Sequence, residues 1–293
     1  MAKASYWFQK ARKEGFAIGA FNAGSMESIK AIVAGAKNQN APVMIEASHG
    51  EIEYFGVKEF VGVCRVLEQS HGVPIILNLD HAPDYDSCVS AIVAGFDYIH
   101  FDGSKLSMVE NMGITKGLVA EAHQRDILVE GEIDNIDAMG ASSSDNREKN
   151  IATVRDAKIY TDPEKAAEFV QNTGVDTFAS LVGNVHGLYS QEKTLDLGLL
   201  KQIAAKIPDT FLSLHGGSGV PDDDIAAAIA LGVVKINVNS ELRVAFRDKL
   251  KEILNRPEEK DVVAIYKIMP EAIAAMQEIV ERKIKLFGSA EKT

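Results

Sequence analysis

Short apolar runs recur along the chain, and amphipathic stretches fill the intervals between them. Read as strands, the runs are 17–22, 42–48, 73–80, 98–102, 127–133, 177–183, 210–215 and 233–238. Most look apolar on both faces, as parallel strands covered by helices do. The intervening stretches read as helices. Segment 28–38 sets Ile29, Ile32 and Val33 on one face, with Pro42 beyond its end. Thr161-Asp-Pro-Glu164 is a capping-box start with Pro in the first turn, and Gly174 closes that helix. Another helix covers 221–231 and stops at Gly232. A short helix opens the chain, and an amphipathic segment over 270–286 follows the eighth unit. This alternation predicts an α/β fold, a (β/α)8 TIM barrel with an N-terminal helix and a C-terminal helical extension, as one domain over 1–293. One connection is too long for a βα loop: 134–160 carries MGASSSDNREKN, polar and Ser-rich, and is expected to form a lid over the active face.

A parallel barrel gathers the C-terminal ends of its strands on one face, where active sites are built. His81 in IILNLDHA, His186 in FASLVGNVHG and His215 in FLSLHGGSG each close such a run. Three imidazoles at one point make a zinc site with an open fourth position; the alternative is that each bonds locally at its strand end. Asp80 precedes the first of them, either as an acid/base or as a carboxylate that orients a histidine. Gly216, Gly217, Ser218 and Gly219 form a loop whose backbone can approach an anion. Asn237 to Ser240 opens the next helix, whose N-terminus favours phosphate. Arg243, a turn further on, can meet a second anion with its planar fork. Asp102 and Glu132 end neighbouring strands and can hold metal in an alternative position, support the histidines, or cap local backbone. His49 lies at a strand end and could join the site. His71, His100 and His123 read as surface or half-buried residues.

Composition narrows the partners. The 293 residues are 46% apolar and 25% charged, with a formal net charge of −11 and a pI near 5.2. That balance excludes a nucleic-acid or anionic-membrane surface, so any phosphate must be held by local donors. Cys64 and Cys88 have neither metal nor disulfide spacing and are expected to be reduced core residues. The opening MAKASYWFQKARKEGF is charged and has no apolar signal core. No apolar run approaches the ~18 residues of a membrane span. A cytoplasmic protein is expected.

With these residues in place, the chain resembles the class II, metal-dependent ketose-bisphosphate aldolases, among them fructose-1,6-bisphosphate and tagatose-1,6-bisphosphate aldolases. The likeness runs nearly end to end through GAFN, LDH, FDGS, EGEI, YTDPE, GNVHG, LHGGSG, KINVNSELR and KIKLFGS. LHGGSG with the upstream VHG and LDH is specific as a set. The resemblance implies zinc-dependent, reversible cleavage of fructose 1,6-bisphosphate to dihydroxyacetone phosphate and glyceraldehyde 3-phosphate. Cleavage of tagatose 1,6-bisphosphate or another ketose phosphate is the alternative. By position it makes His81, His186 and His215 the zinc ligands, and Asp80 the acid/base at the substrate's C4 oxygen. Asp102 and Glu132 match carboxylates that hold the metal in a buried alternative position. Gly187, Gly216, Ser218, Asn237, Asn239 and Ser240 match the dihydroxyacetone-phosphate site, Arg243 the arginine on the far phosphate, and Asn22 and Ser48 polar residues near the carbonyl end. Backbone oxygens near Val185 and Gly216 resemble a site for a monovalent cation, Na+ or K+. A homodimer or homotetramer is also implied.

This chain departs from the pattern in four places. Ala82 follows LDH where Gly is usual, and Ser190 stands where a phosphate-contacting Lys is common. Segment 139–145, from Met139 to Asp145, replaces a Gly-Gly-Glu-Glu-Asp lid, so Asp145 and Glu148 become the candidates for the lid base. Asn239 stands where fructose-type members have Asp and tagatose-type members Ala; its ability to bond a hydroxyl leans the reading to fructose. Three rival readings exist. Lys235, inside a strand, could form a Schiff base. A metal-dependent hydrolase would want a His-x-His that the chain lacks. A catalytically silent barrel serving as a partner subunit would be marked by a lost ligand, yet all three histidines are present.

Overall fold

The computed structural model describes residues 3–135, 160–187, 194–257 and 261–293. Eight parallel strands pair in chain order and close on themselves: β1 (Ile18–Asn22), β2 (Val43–Ser48), β3 (Ile75–Ala82), β4 (Tyr98–Phe101), β5 (Leu128–Glu132), β6 (Thr177–Ala179), β7 (Phe211–Leu214) and β8 (Val233–Val238). Register from Ala20↔Met44 in β1–β2 to Ile18↔Lys235 in β1–β8 completes the barrel. Around it lie α1 (Ala4–Glu14), α2 (Met26–Asn38), α3 (His49–Phe55), α4 (Val57–His71), α5 (Tyr85–Ala94), α6 (Met108–His123), α7 (Pro163–Thr173), α8 (Leu197–Lys206), α9 (Asp222–Ala230), α10 (Ser240–Leu254) and α11 (Ile265–Leu286). Ser25 caps α2 in a reciprocal box with Ser28, and Asp162 caps α7 ahead of Pro163.

Alternate side chains of a strand face opposite sides. Outward residues such as Ile45, Leu77, Ile99, Val129 and Ile236 pack under the helices in one large core. The inward positions change character with height. At the N-terminal end they are apolar: Ile18, Ala20, Met44, Ile76, Tyr98, Leu128 and Val234 form a second core. Helix α1 seals it, Phe8 stacking on Tyr98 at 5.2 Å and meeting Phe211 edge-on at 5.4 Å. One step of two residues up, the lumen holds buried Glu46, Asn78, His100, Glu130 and Ser213, joined by buried Lys235, which directly follows Val234 where the β7–β8 register shifts. Another step brings Ser48, Asp80, Asp102 and Glu132 to the mouth. The expectation that both strand faces are apolar therefore holds for the lower lumen only.

Boundaries shift in physical ways. Segment 177–183 was expected as one strand, but β6 stops at Ala179 because Leu181 pairs with Thr161, and Asn184 Oδ1 accepts the Val182 N–H at 2.7 Å. The last helix starts at Ile265 and carries Pro270 inside its second turn, rather than beginning there. Most of the expected lid over 134–160 lies outside the described residues, including Met139, Asp145 and Glu148; Ser190 does too. The base of that connection is tied, with Thr161 Oγ1 donating to Asp134 at 2.6 Å.

Candidate active site

Consecutive residues of a regular strand cannot both face the lumen, yet Asp80 and His81 both reach the site. The β3–β4 register shifts between Leu79 and Ala82, and His81 takes the left-handed conformation at φ 49°. This bulge re-aims His81 onto the face that Asp80 already occupies. The backbone is held there by its own amide, which donates to His100 Nδ1 at 3.1 Å.

The three strand-end histidines converge. Ring centroids lie 4.8 Å apart for His81–His215, 5.0 Å for His81–His186 and 6.1 Å for His186–His215. Asn184 ties the His186 loop to the next strand, donating to the carbonyls of Ser180 and His215 at 3.2 and 3.1 Å. His81 Nδ1 sits 3.2 Å from both Asp102 Oδ2 and Glu132 Oε1, so these carboxylates take its proton donor and leave Nε2 as the ligating nitrogen. His215 Nε2 meets Glu130 Oε1 at 2.9 Å, which leaves Nδ1. The two remaining nitrogens face each other at 3.0 Å. A proton on His81 satisfies that contact, and a cation bound by both nitrogens would take the proton's place.

Charge supports the same fit. Burial lowers the His81 pKa, but Asp80, Glu132 and Asp102 reverse this and hold it well above the usual range, so positive charge is favoured at this point. His215 goes the other way: burial outweighs Glu130 and lowers it to about 4, leaving the neutral imidazole that binds metals. The donors within 4.8 Å of one another are Asp80, His81, His100 and His215 in one group, and His81, Asp102 and Glu132 in a second; His186, though its ring is close to that of His81, belongs to neither. Either could hold a divalent ion.

His100 is the main residue that sequence reading misplaced. It is wholly buried in the lumen, with Nδ1 3.4 Å from Asp80 Oδ1 and Nε2 3.4 Å from Glu132 Oε1. A step of two from the inward Tyr98 would have found it. His49, by contrast, lies on the exposed side of α3, 3.3 Å from Glu53, and does not join the site. His71 and His123 lie at the surface as expected, His123 bonded to Asp176 at 2.9 Å.

Asp80 accepts Nδ2 donors from Asn237 at 3.2 Å and Asn22 at 3.3 Å. Burial alone would raise its pKa, but His81, His100, Lys235 and His215 outweigh it and hold Asp80 well below the carboxylate range. The carboxylate is thus favoured in its ionised form and fixed by two amides.

Below it, Lys235 donates to Glu130 Oε2 at 2.6 Å and lies 3.7 Å from Glu46 Oε2. Tyr98 also donates to Glu130, at 3.0 Å, as does Ser213. Burial favours the neutral amine, but Glu130, Glu46 and Asp80 prevail and raise the Lys235 pKa. A lysine held in its charged form by two carboxylates is a poor Schiff-base nucleophile, which weighs against that rival. Glu46 is the neutral member: burial and the charge of Asp80 lift its pKa to about 8 against Lys235 and Asn78.

The glycine-rich loop after β7 is tightly built. A side chain on Gly216 (φ 62°) would lie 2.3 Å from the Val185 carbonyl oxygen, so that loop exists only with Gly. Two of its amides are engaged, Gly217 N–H by Asn237 O at 3.0 Å and Gly219 N–H by Glu241 Oε1 at 3.1 Å. Ser218, Asn237 and Ser240 are buried beside it, and Gly187 lies on the facing loop. Asn239 precedes α10 and its carbonyl accepts the Arg243 N–H at 3.2 Å. The Arg243 side chain reaches back over the mouth, where Nη2 meets Glu51 Oε1 at 2.7 Å. Glu51 Oε2 takes the Ser48 amide at 2.9 Å, Ser48 Oγ at 3.0 Å and Asn22 Nδ2 at 3.2 Å. Nothing in the sequence reading had singled out Glu51.

Known proteins match this arrangement along the whole chain. The family described as fructose-bisphosphate aldolase class-II matches residues 2–292. A 6-phospho-5-dehydro-2-deoxy-D-gluconate aldolase of Shouchella clausii is 36% identical over 285 residues, covering 96% of this chain and 92% of that one. A fructose-bisphosphate aldolase of Staphylococcus epidermidis is 35% identical over 289 residues, covering 96% and 95%. The crystal structure of the YdjI aldolase from Escherichia coli K12 superposes with a TM-score of 0.82 at 30% identity, covering 99% of this chain and 98% of that one. The closed eight-stranded barrel, its histidine-lined mouth and these matches together make the chain an aldolase, a member of the class II fructose-bisphosphate aldolase family.

Proposed function

We propose that this single domain, 1–293, catalyses the zinc-dependent, reversible cleavage of fructose 1,6-bisphosphate to dihydroxyacetone phosphate and glyceraldehyde 3-phosphate. The carrying observation is the convergence of His81, His186 and His215 beside an ionised, doubly bonded Asp80. Gly187, Gly216, Ser218, Asn237, Asn239 and Ser240 hold the dihydroxyacetone-phosphate half, with Asn22 and Ser48 near the carbonyl end and Arg243 toward the distal phosphate. Asp80 removes the C4 hydroxyl proton. The C4–O bond becomes the aldehyde as the C3–C4 bond breaks, and its electron pair moves to C3 and delocalises toward the C2 oxygen. Protonation at C3 completes dihydroxyacetone phosphate. Zn2+ held by His81, His186 and His215 supplies Lewis-acid stabilisation of the charge on the ketose oxygens, and Asp102 with Glu132 would hold it in an alternative position. The buried Glu130 and His100 keep the imidazoles and Asp80 aligned. A monovalent cation, Na+ or K+, at the backbone oxygens near Val185 and Gly216 is part of the same proposal.

A second reading, cleavage of tagatose 1,6-bisphosphate or another ketose phosphate, is favoured by the Shouchella relative named for a different substrate and, for a ketose phosphate without a distal phosphate, by the Glu51–Arg243 pair. A cytoplasmic homodimer or homotetramer completes the proposal; among the described residues no helix is long and apolar enough to cross a membrane. The test is a coupled assay for both epimers with metal-depleted and zinc-restored protein. Zinc-restored cleavage of the fructose epimer in preference to tagatose supports the reading; a preference for tagatose overturns the epimer assignment.

A further inference from the structure

Beyond Asp80 the mouth opens into a cavity of about 280 Å³ lined by Asn22, Ser25, Ser28, Glu51, Arg243 and Phe246, among others. That is just short of the ~300–1,000 Å³ that holds a whole small ligand, so it suits the distal part of one. Its wall carries an arginine whose outward fork is already paired at 2.7 Å with a carboxylate only 12% exposed. The carboxylate is pinned in turn by three donors from Ser48 and Asn22, and Gly24 leaves room for it: a Cβ there would sit 3.1 Å from Glu51 Cγ. Asn22 donates to Glu51 and to Asp80, so this pair is wired to the reacting end.

A phosphate offers acceptors only and carries about −1.5 to −2 charge. To reach Arg243 it must displace Glu51 or sit against it, and Glu51 is too well held to swing away freely. A hydroxyl can donate to Glu51 and accept from Arg243 with the pair intact. We infer that Glu51 is the distal-end specificity residue: by engaging Arg243 it penalises a second phosphate and makes this cavity a subsite for the hydroxyl-bearing end of a ketose 1-phosphate. The inference rests on the retro-aldol reading and narrows it. A bisphosphate still binds through Arg243, with less advantage than an unengaged arginine would give.

The test uses ligands that bind without being cleaved, so that it does not depend on turnover. Calorimetry on zinc-loaded protein compares hexitol 1,6-bisphosphate with hexitol 1-phosphate for wild type, Glu51→Gln, Glu51→Ala, Arg243→Ala and the double variant Glu51→Gln/Arg243→Ala. Removing the Glu51 charge is expected to raise the bisphosphate-to-monophosphate affinity ratio roughly tenfold, the equivalent of one charge-assisted contact. The gain should vanish when Arg243 is absent, which a merely structural role for Glu51 would not produce. Glu51→Ala covers the case in which the Gln variant misfolds. An unchanged ratio, or a gain that persists without Arg243, overturns the inference. Parallel cleavage assays on fructose 1,6-bisphosphate and fructose 1-phosphate keep the two claims apart: failure to cleave either refutes the retro-aldol reading whatever the affinity ratio does.

Discussion

Glu46→Gln gives the most quantitative test of the charged lumen. Glu46 is wholly buried, accepts from Asn78 Nδ2 at 3.0 Å and faces Lys235 at 3.7 Å. Burial and Asp80 raise its pKa to about 8, whereas in the unfolded chain it titrates near ~4.3. Between those values the folded protein keeps a proton that the unfolded chain has released, so its contribution to stability is present at low pH and is lost as pH rises toward 8. Gln is neutral in both states and has no such dependence. At pH 5 the swap exchanges one neutral group for another of equal shape and should change stability by under about 1 kcal/mol. Each pH unit then corresponds to about 1.36 kcal/mol, so from pH 5 to pH 8 the variant should gain roughly 4 kcal/mol on wild type. Urea unfolding of both chelator-treated proteins at the two pH values reads this directly. If Glu46 were instead an ionised partner of Lys235, the variant would lose stability at both pH values, because Lys235 would keep only Glu130 as a carboxylate partner. A loss, or a difference that does not change with pH, refutes the reasoning.

Asp80→Ala should leave zinc bound while turnover falls by about 10²–10⁴-fold, the contribution of a general base; loss of the metal with full activity restored by excess zinc would make Asp80 structural. His186→Ala should abolish stoichiometric zinc retention, read by elemental analysis after dialysis, and tight binding in that variant would remove His186 from the ligand set. Gly216→Ala places a Cβ 2.3 Å from the Val185 oxygen at φ 62°, and should lower stability by about 1–3 kcal/mol in thermal unfolding; a wild-type melting curve would show that the loop yields.

The barrel was legible because each strand announces itself as a short apolar run and the helices carry their own caps. The three histidines were legible because they end such runs, and a barrel collects strand ends. The buried polar layer was not. Lys235 was seen inside its strand, but Glu46, Asn78, His100 and Glu130 sit inside otherwise apolar runs, where a hydrophobicity reading averages them away. Stepping by two from Tyr98 to His100 to Asp102, and from Leu128 to Glu130 to Glu132, recovers them, because period 2 is what carries direction in a strand. The β3 bulge also escaped: LDHA contains no Gly to mark the left-handed residue, and only the pairing of β3 with β4 reveals it. Glu51 was hidden for another reason. Its partner Arg243 is 192 residues away, and no local pattern connects α3 with α10. Pro270 misled because it reads as a helix start, whereas it stands in the second turn of a helix that begins at Ile265.

The central claim is that a metal gathered by His81, His186 and His215, and not a lysine, supports aldol cleavage here. The most direct measurement is the rate of fructose 1,6-bisphosphate cleavage by metal-depleted protein, before and after titration with zinc, with borohydride present in a parallel sample. The account predicts no cleavage without metal, recovery that saturates near one zinc per chain, and no inactivation by borohydride. Cleavage by the metal-free protein, or substrate trapped covalently on Lys235, would contradict it.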